Sequence, residues 1–110
     1  MDARQQRLAK NEALFRSVNE RIEEAAVSSG MDDHVFEFFC ECSNADCNLL
    51  LPMTTSECEA VRADPTQFIV APGHELAEIE TIVARTDAYD VVSKQGEAAQ
   101  YVTDRDPRDR

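Results

Sequence analysis

Three of the four cysteines in this chain fall within eight residues, as Cys40-Glu41-Cys42-Ser43-Asn44-Ala45-Asp46-Cys47. The flanking runs Val35–Cys40 and Leu49–Leu51 are short and β-prone, so the cluster is expected at the tip of a hairpin, where three thiols converge on one point. A metal suits that geometry, because Zn2+ takes four soft or borderline ligands in a tetrahedron. The C-x-C-x4-C spacing does not match the common iron–sulfur runs. Disulfides need an oxidising compartment. No apolar run follows Arg4, Arg7 and Lys10, so no export signal is read and a cytoplasmic protein is expected.

The fourth ligand has to come from elsewhere in the chain. His74 is the first candidate, since a Pro72-Gly73-His74 turn can aim an imidazole. His34 precedes the strand that delivers Cys40 and would lie about 20 Å away in extended chain, at about 3.3 Å per residue. Cys58 has a simpler reading. With Thr54 as helix N-cap and Glu57 at capping-box spacing, Met53 and Cys58 take the two hydrophobic-staple positions. Free cysteine is commonly buried as a small hydrophobe. The expected metal ligands are therefore Cys40, Cys42, Cys47 and His74. Zinc there would tie the hairpin tip to the turn across the 26 residues between Cys47 and His74, and its binding energy would count as folding energy.

The expected fold class is α+β. A long N-terminal helix precedes a small, mostly antiparallel sheet with one or two short helices, stapled by the metal. The helix is expected over 2–26, without Gly or Pro, and ends at Ser28-Ser29-Gly30. Leu8, Phe15 and Ile22 recur every seven residues, with Val18 and Ala25 between them, in a coiled-coil-like stripe. At 1.5 Å per residue such a helix is about 37 Å long, more than a small domain readily covers. Its charges oppose its dipole, with Arg4, Arg7 and Lys10 near the start and Glu20, Glu23 and Glu24 near the end. An antiparallel partner helix would correct this. The expected partner is thus a protein or a second copy, as a homodimer, bound through Leu8, Phe15, Val18 and Ile22.

After the hairpin, a short helix is expected from Thr54 to Ala63, stopped at Asp64-Pro65. A strand follows at 67–71, then a hairpin of 79–85 and 89–94 about Thr86-Asp87-Ala88, with a helix over 76–85 as the alternative. Glu97–Val102 is expected to close the domain as a helical turn. Three regions result: 1–30 as helix and cap, 31–102 as the zinc-stapled domain, and 103–110 as a disordered charged tail. Glu75, Glu78 and Glu80 are read as a solvated face, and Phe36, Phe38 and Phe39 as core.

Charge narrows the function. The chain has 22 acidic against 11 basic side chains, a net −11, and the excess lies between residues 31 and 102. Such a field repels nucleic acid, whose binding needs Lys and Arg, and favours basic partners. No run approaches the roughly 20 apolar residues of a membrane helix. There is no Gly-rich phosphate loop, serine elbow or H-E-x-x-H. Catalytic zinc would need an open position and a base. Glu41 would serve as that base only if turned inward, and a Cys47–His74 nucleophile pair is the other formal option.

The run Asn11 to Ile22, Phe39-Cys40-Glu41-Cys42 with Cys47, Val61 to Phe68 leading to Ala71-Pro72-Gly73-His74, Tyr89 to Lys94, and Gly96 to Ala99 together resemble a family of short uncharacterised actinobacterial proteins. The resemblance covers about residues 4–107. It implies Cys40, Cys42, Cys47 and His74 as the shared set and brings no activity or partner. The function expected is a non-enzymatic zinc-binding interaction or regulatory module, with a zinc- or redox-sensing regulator as the alternative.

Overall fold

The computed structural model of the chain describes residues 1–30 and 34–108. The fold is α+β, in the order α1 (Ala3–Ser28), β1 (Val35–Phe39), β2 (Leu50–Thr54), α2 (Thr55–Arg62), β3 (Gln67–Val70), β4 (Glu80–Arg85), β5 (Asp90–Lys94) and α3 (Gly96–Asp104). Local signals account for most of these boundaries. Asp2 caps α1 in a full capping box with Gln5, and Thr54 caps α2 in one with Glu57. Gly30, with φ of +72°, follows the α1 C-cap Ser29, where the left-handed conformation favours glycine.

The strands form two antiparallel sheets rather than the single sheet expected. β1 pairs with β2, placing Phe38 opposite Leu51. The second sheet has the order β3-β5-β4, with Phe68 opposite Val92. Residues 80–85 are strand, not helix, with a register shift between Ile82 and Ala84. One backbone bond, Glu41 N–H to the Ile69 carbonyl at 2.7 Å, links the chain beyond β1 to β3. Phe38, Met53, Phe68, Val70 and Val92 are buried in one apolar core.

α1 docks by a face that the heptad stripe did not indicate. Its buried residues are Ala9, Glu12, Ala13, Arg16, Asn19, Glu20, Glu23 and Ala26. Leu8, Phe15 and Ile22 are only half-buried, while Leu14 and Val18 are 62% and 38% exposed. The buried face is polar because it meets partners far along the chain. Lys94 pairs with both Glu12 and Glu80. The Arg16 guanidinium lies 4.5 Å from the Phe68 ring centroid and donates to the Pro65 and Val102 carbonyls at 2.7 and 2.6 Å. Burial holds Arg16 down to about 10, and desolvation pushes Glu12 up to about 9 against the pull of Lys94.

Two expectations are corrected here. Glu80 is buried and paired, not part of a solvated face. The segment from 103 is helical to Asp104, and Asp106 and Arg108 then pack back: Asp106 pairs with Arg62 and Arg108 with Glu20, Glu23 and Glu59. Only Asp109 and Arg110 of the expected tail lie outside the described residues. The acidic end of α1 therefore meets Arg62 and Arg108 within the chain, and at its other end Arg4 pairs with Glu78 at 2.7 Å. Of the six charges that oppose the α1 dipole, Arg4, Glu20 and Glu23 are thus paired within the chain.

Candidate metal centre

Cys40 immediately follows β1, and its amide donates to the Leu49 carbonyl at 2.9 Å, extending the hairpin by one bond. Cys40 and Cys42 lie two residues apart in extended chain, so their side chains share one face and Glu41 takes the other. The loop then turns at its tip. Asp46 N–H donates to Asn44 Oδ1 and Cys47 N–H to the Asn44 carbonyl, each at 3.0 Å. That turn brings Cys47 back over its two predecessors.

The fourth member arrives on the connection after β3. His74 N–H donates to the Ala71 carbonyl at 2.9 Å, closing a four-residue turn with Pro72 second and Gly73 third. Gly73 has φ of +86°, as the third position of a type II turn demands. A Cβ at Gly73 would meet nothing within 4 Å, so the glycine is there for its backbone angle and not for a close approach. The turn also presents the Ala71 amide to Cys40 Sγ at 3.1 Å, a bond that favours a thiolate and orients it.

One ligand atom from each of Cys40, Cys42, Cys47 and His74 lies within 4.8 Å of all the others. His74 Nδ1 is 3.7 Å from Cys40 Sγ and 3.8 Å from Cys47 Sγ. These separations suit a small tetrahedral ion. Metal–sulfur bonds of about 2.3 Å and metal–nitrogen bonds of about 2.0 Å imply sulfur–nitrogen edges of about 3.5–3.6 Å. Cys40 and Cys42 are buried, and Cys47 and His74 half-buried, so the group closes inward and opens along one side. The Cys40 thiol, hydrogen-bonded to Cys42, holds Cys42 down to about 5, while that same bond and burial push Cys40 far up. Two thiols this close share one proton. Ionising both Cys40 and Cys42 needs a cation beside them.

Cys58 is elsewhere, with Sγ 3.9 Å from Glu23 Oε2 between α1 and α2, and burial pushes its thiol up to about 12. It is a core residue four positions into α2, as its staple spacing implied. A four-cysteine cluster is thus not assembled. His34 sits exposed at a bend before β1, outside the group. All four cysteines are free thiols.

Sequence reasoning missed the residues that hold the loop. Asn19 Oδ1 accepts from Phe39 N–H, and Asn19 Nδ2 donates to the Phe39 carbonyl and to Glu41 Oε2, all at 2.8 Å. Asn11 Nδ2 donates to the Ser43 carbonyl at 3.0 Å. Glu41, fully buried on the side away from the thiols, accepts from Ile69 N–H at 3.0 Å, and burial raises its carboxyl above the usual range. Two-residue alternation through Cys40-Glu41-Cys42 was the available signal that Glu41 faces away.

Comparison with family models, curated proteins and solved structures gives no match. The reading of this site therefore rests on its own geometry.

Proposed function

We propose that this protein is a small, non-enzymatic zinc-binding module for interaction or regulation, with Zn2+ held structurally by Cys40, Cys42, Cys47 and His74. The observation that carries the reading is the convergence of three thiols and an imidazole within 4.8 Å. Four protein ligands fill a tetrahedron and leave no position for substrate, which is the pattern of structural zinc. Glu41, which adjoins Cys40 and Cys42 in sequence, is committed to Asn19 and Ile69. The ion would supply charge neutralisation and a cross-link between the hairpin tip and the turn after β3.

The interaction half of the reading is supported by the outer face of α1. Leu14 and Val18 are exposed there. Arg7, Lys10 and Arg21 are also exposed and, among the described residues, enter none of the ion pairs. In a chain of net charge −11 this face is locally basic and apolar, and suits a protein partner better than a second copy presenting the same charges. Reduced thiols fit a cytoplasmic setting, and no described helix is long and apolar enough to cross a membrane.

Native mass spectrometry of protein purified without added zinc tests both halves. One zinc per chain, lost in His74→Ala and retained in Cys58→Ser, is expected. Protein that carries no metal and takes up no stoichiometric zinc when the ion is supplied would overturn the zinc reading, and a monomeric mass at micromolar concentration would remove the homodimer. A second reading, a zinc- or redox-sensing regulator, is favoured by Cys47, the least buried of the four thiols. It requires that peroxide release the zinc and change partner binding together.

A further inference from the structure

We infer that Asn19 and Glu41 are positioning residues of the metal site, a buried link that holds Cys40 and Cys42 in register with the turn bearing His74. The inference rests on the zinc reading above and goes beyond it by naming what pre-forms the ligand geometry.

Three ligands come from one loop and the fourth from the far side of β3, so the two segments must be fixed against each other. Only a few bonds do this. Glu41 N–H donates to the Ile69 carbonyl, and Ile69 N–H donates back to Glu41 Oε1. The carboxylate thus stands in for a strand carbonyl and closes a two-bond bridge to β3. Ile69 lies two residues before Ala71, whose amide meets Cys40 Sγ, and five before His74.

The other carboxylate oxygen is held by Asn19 Nδ2 at 2.8 Å. Asn19 also brackets Phe39, accepting from its amide and donating to its carbonyl. Phe39 and Glu41 flank Cys40, so one asparagine fixes the backbone on both sides of a ligand. Asn19 and Glu41 are each 2% exposed, so water offers these groups no ready substitute. Neither residue belongs to the ligand group. Outer partners of ligands typically change metal affinity by about 10- to 100-fold when removed.

The donor and acceptor pattern permits a reciprocal test. In Glu41→Gln, the Gln oxygen still accepts from Ile69, and its amide then faces the Asn19 amide, donor against donor. In Asn19→Asp, two carboxylates face each other. In the double variant Asn19→Asp with Glu41→Gln, the Gln amide donates to the Asp carboxylate and the contact between positions 19 and 41 reforms with its polarity reversed, while the Phe39 carbonyl still loses its Asn19 donor. The readouts are zinc affinity by chelator competition and the visible ligand-field spectrum of the Co2+-loaded protein, which reports the geometry of the ligands. A core variant, Val102→Ala, controls for general destabilisation, since Val102 is buried on α3.

Each single variant is expected to bind zinc about 10-fold or more weakly with an altered Co2+ spectrum, and the double variant to lose less than the two single losses combined. Unchanged affinity and spectrum in the single variants would overturn the inference, as would an equal loss in Val102→Ala. Additive losses in the double variant would also overturn it. Absence of stoichiometric metal in the unaltered protein would instead overturn the zinc reading itself.

Discussion

Removing the metal is the most informative perturbation, and its size follows from what the cluster connects. With zinc bound, the loop 40–47 and the turn 71–74 share a four-ligand joint. Without it, the two segments keep the Glu41–Ile69 bridge, the Ala71 amide bond to Cys40 and the Asn19 and Asn11 bonds from α1. The two sheets and three helices have their own core around Phe38 and Phe68, so secondary structure should survive. Free zinc at a thousand times its dissociation constant stabilises the folded state by about 4 kcal/mol, if the unfolded chain does not bind it. For a domain of this size that is roughly 15–25 °C in melting temperature. Thermal unfolding followed by far-ultraviolet circular dichroism, in buffered zinc and then in excess chelator, measures the difference. Binding also displaces thiol protons, so the gap should shrink as the pH is lowered from 8 to 6. Melting temperatures that agree within about 2 °C in the two buffers would refute the argument.

Gly73→Ala should cost about 1–2 kcal/mol through its left-handed backbone alone, with zinc affinity falling alongside because His74 is aimed by that turn; Gly73→Asn should be milder in chemical denaturation and metal competition. Lys94→Met should destabilise the protein by about 3–5 kcal/mol, because two buried acidic side chains lose their shared partner. That deficit should narrow toward pH 5 in urea titrations, since the buried Glu12 carboxyl, already raised by desolvation, binds its proton more tightly still once Lys94 is gone. Arg108→Ala should lower stability by about 1 kcal/mol and make it more sensitive to pH. Burial raises Glu23 to about 7, so its contribution favours the folded state below pH 4.5 and fades as pH rises through 7. Without Arg108, urea midpoints should fall more steeply over that interval than in the unaltered protein.

Much of the fold and all four cluster residues were legible locally. Capping boxes at Asp2 and Thr54, the Ser29-Gly30 stop and β-branched runs mark elements by neighbours only a few residues apart. The cluster could be read because three ligands are adjacent in sequence and the fourth sits in a turn with its own signature. What could not be read depends on distant pairs. Glu12 is buried because Lys94 is 82 residues away and paired with it, and nothing beside Glu12 announces this. The heptad stripe misled for the same reason: Val18 and Ala25 satisfy its period but face outward, while Arg16 and Asn19 face in. The split into two sheets was equally hidden, since strand order is a matter of long-range pairing. Asp106 and Arg108 were charged residues in a polar run until the carboxylates that receive them were placed.

The polar underside of α1 has one more consequence. An oily helix face can slide by a turn against its support at modest cost, because one methyl group replaces another. Here the face is toothed. Glu12, Arg16, Asn19 and Glu20 each mesh with a particular partner at Lys94, Pro65, Phe39 and Arg62. A displacement of a single turn would leave several charges in the interior with no counterpart. The helix therefore works as an indexed rod: its axial setting is fixed to one notch, and the cysteine loop, which hangs from Asn11 and Asn19, inherits that setting.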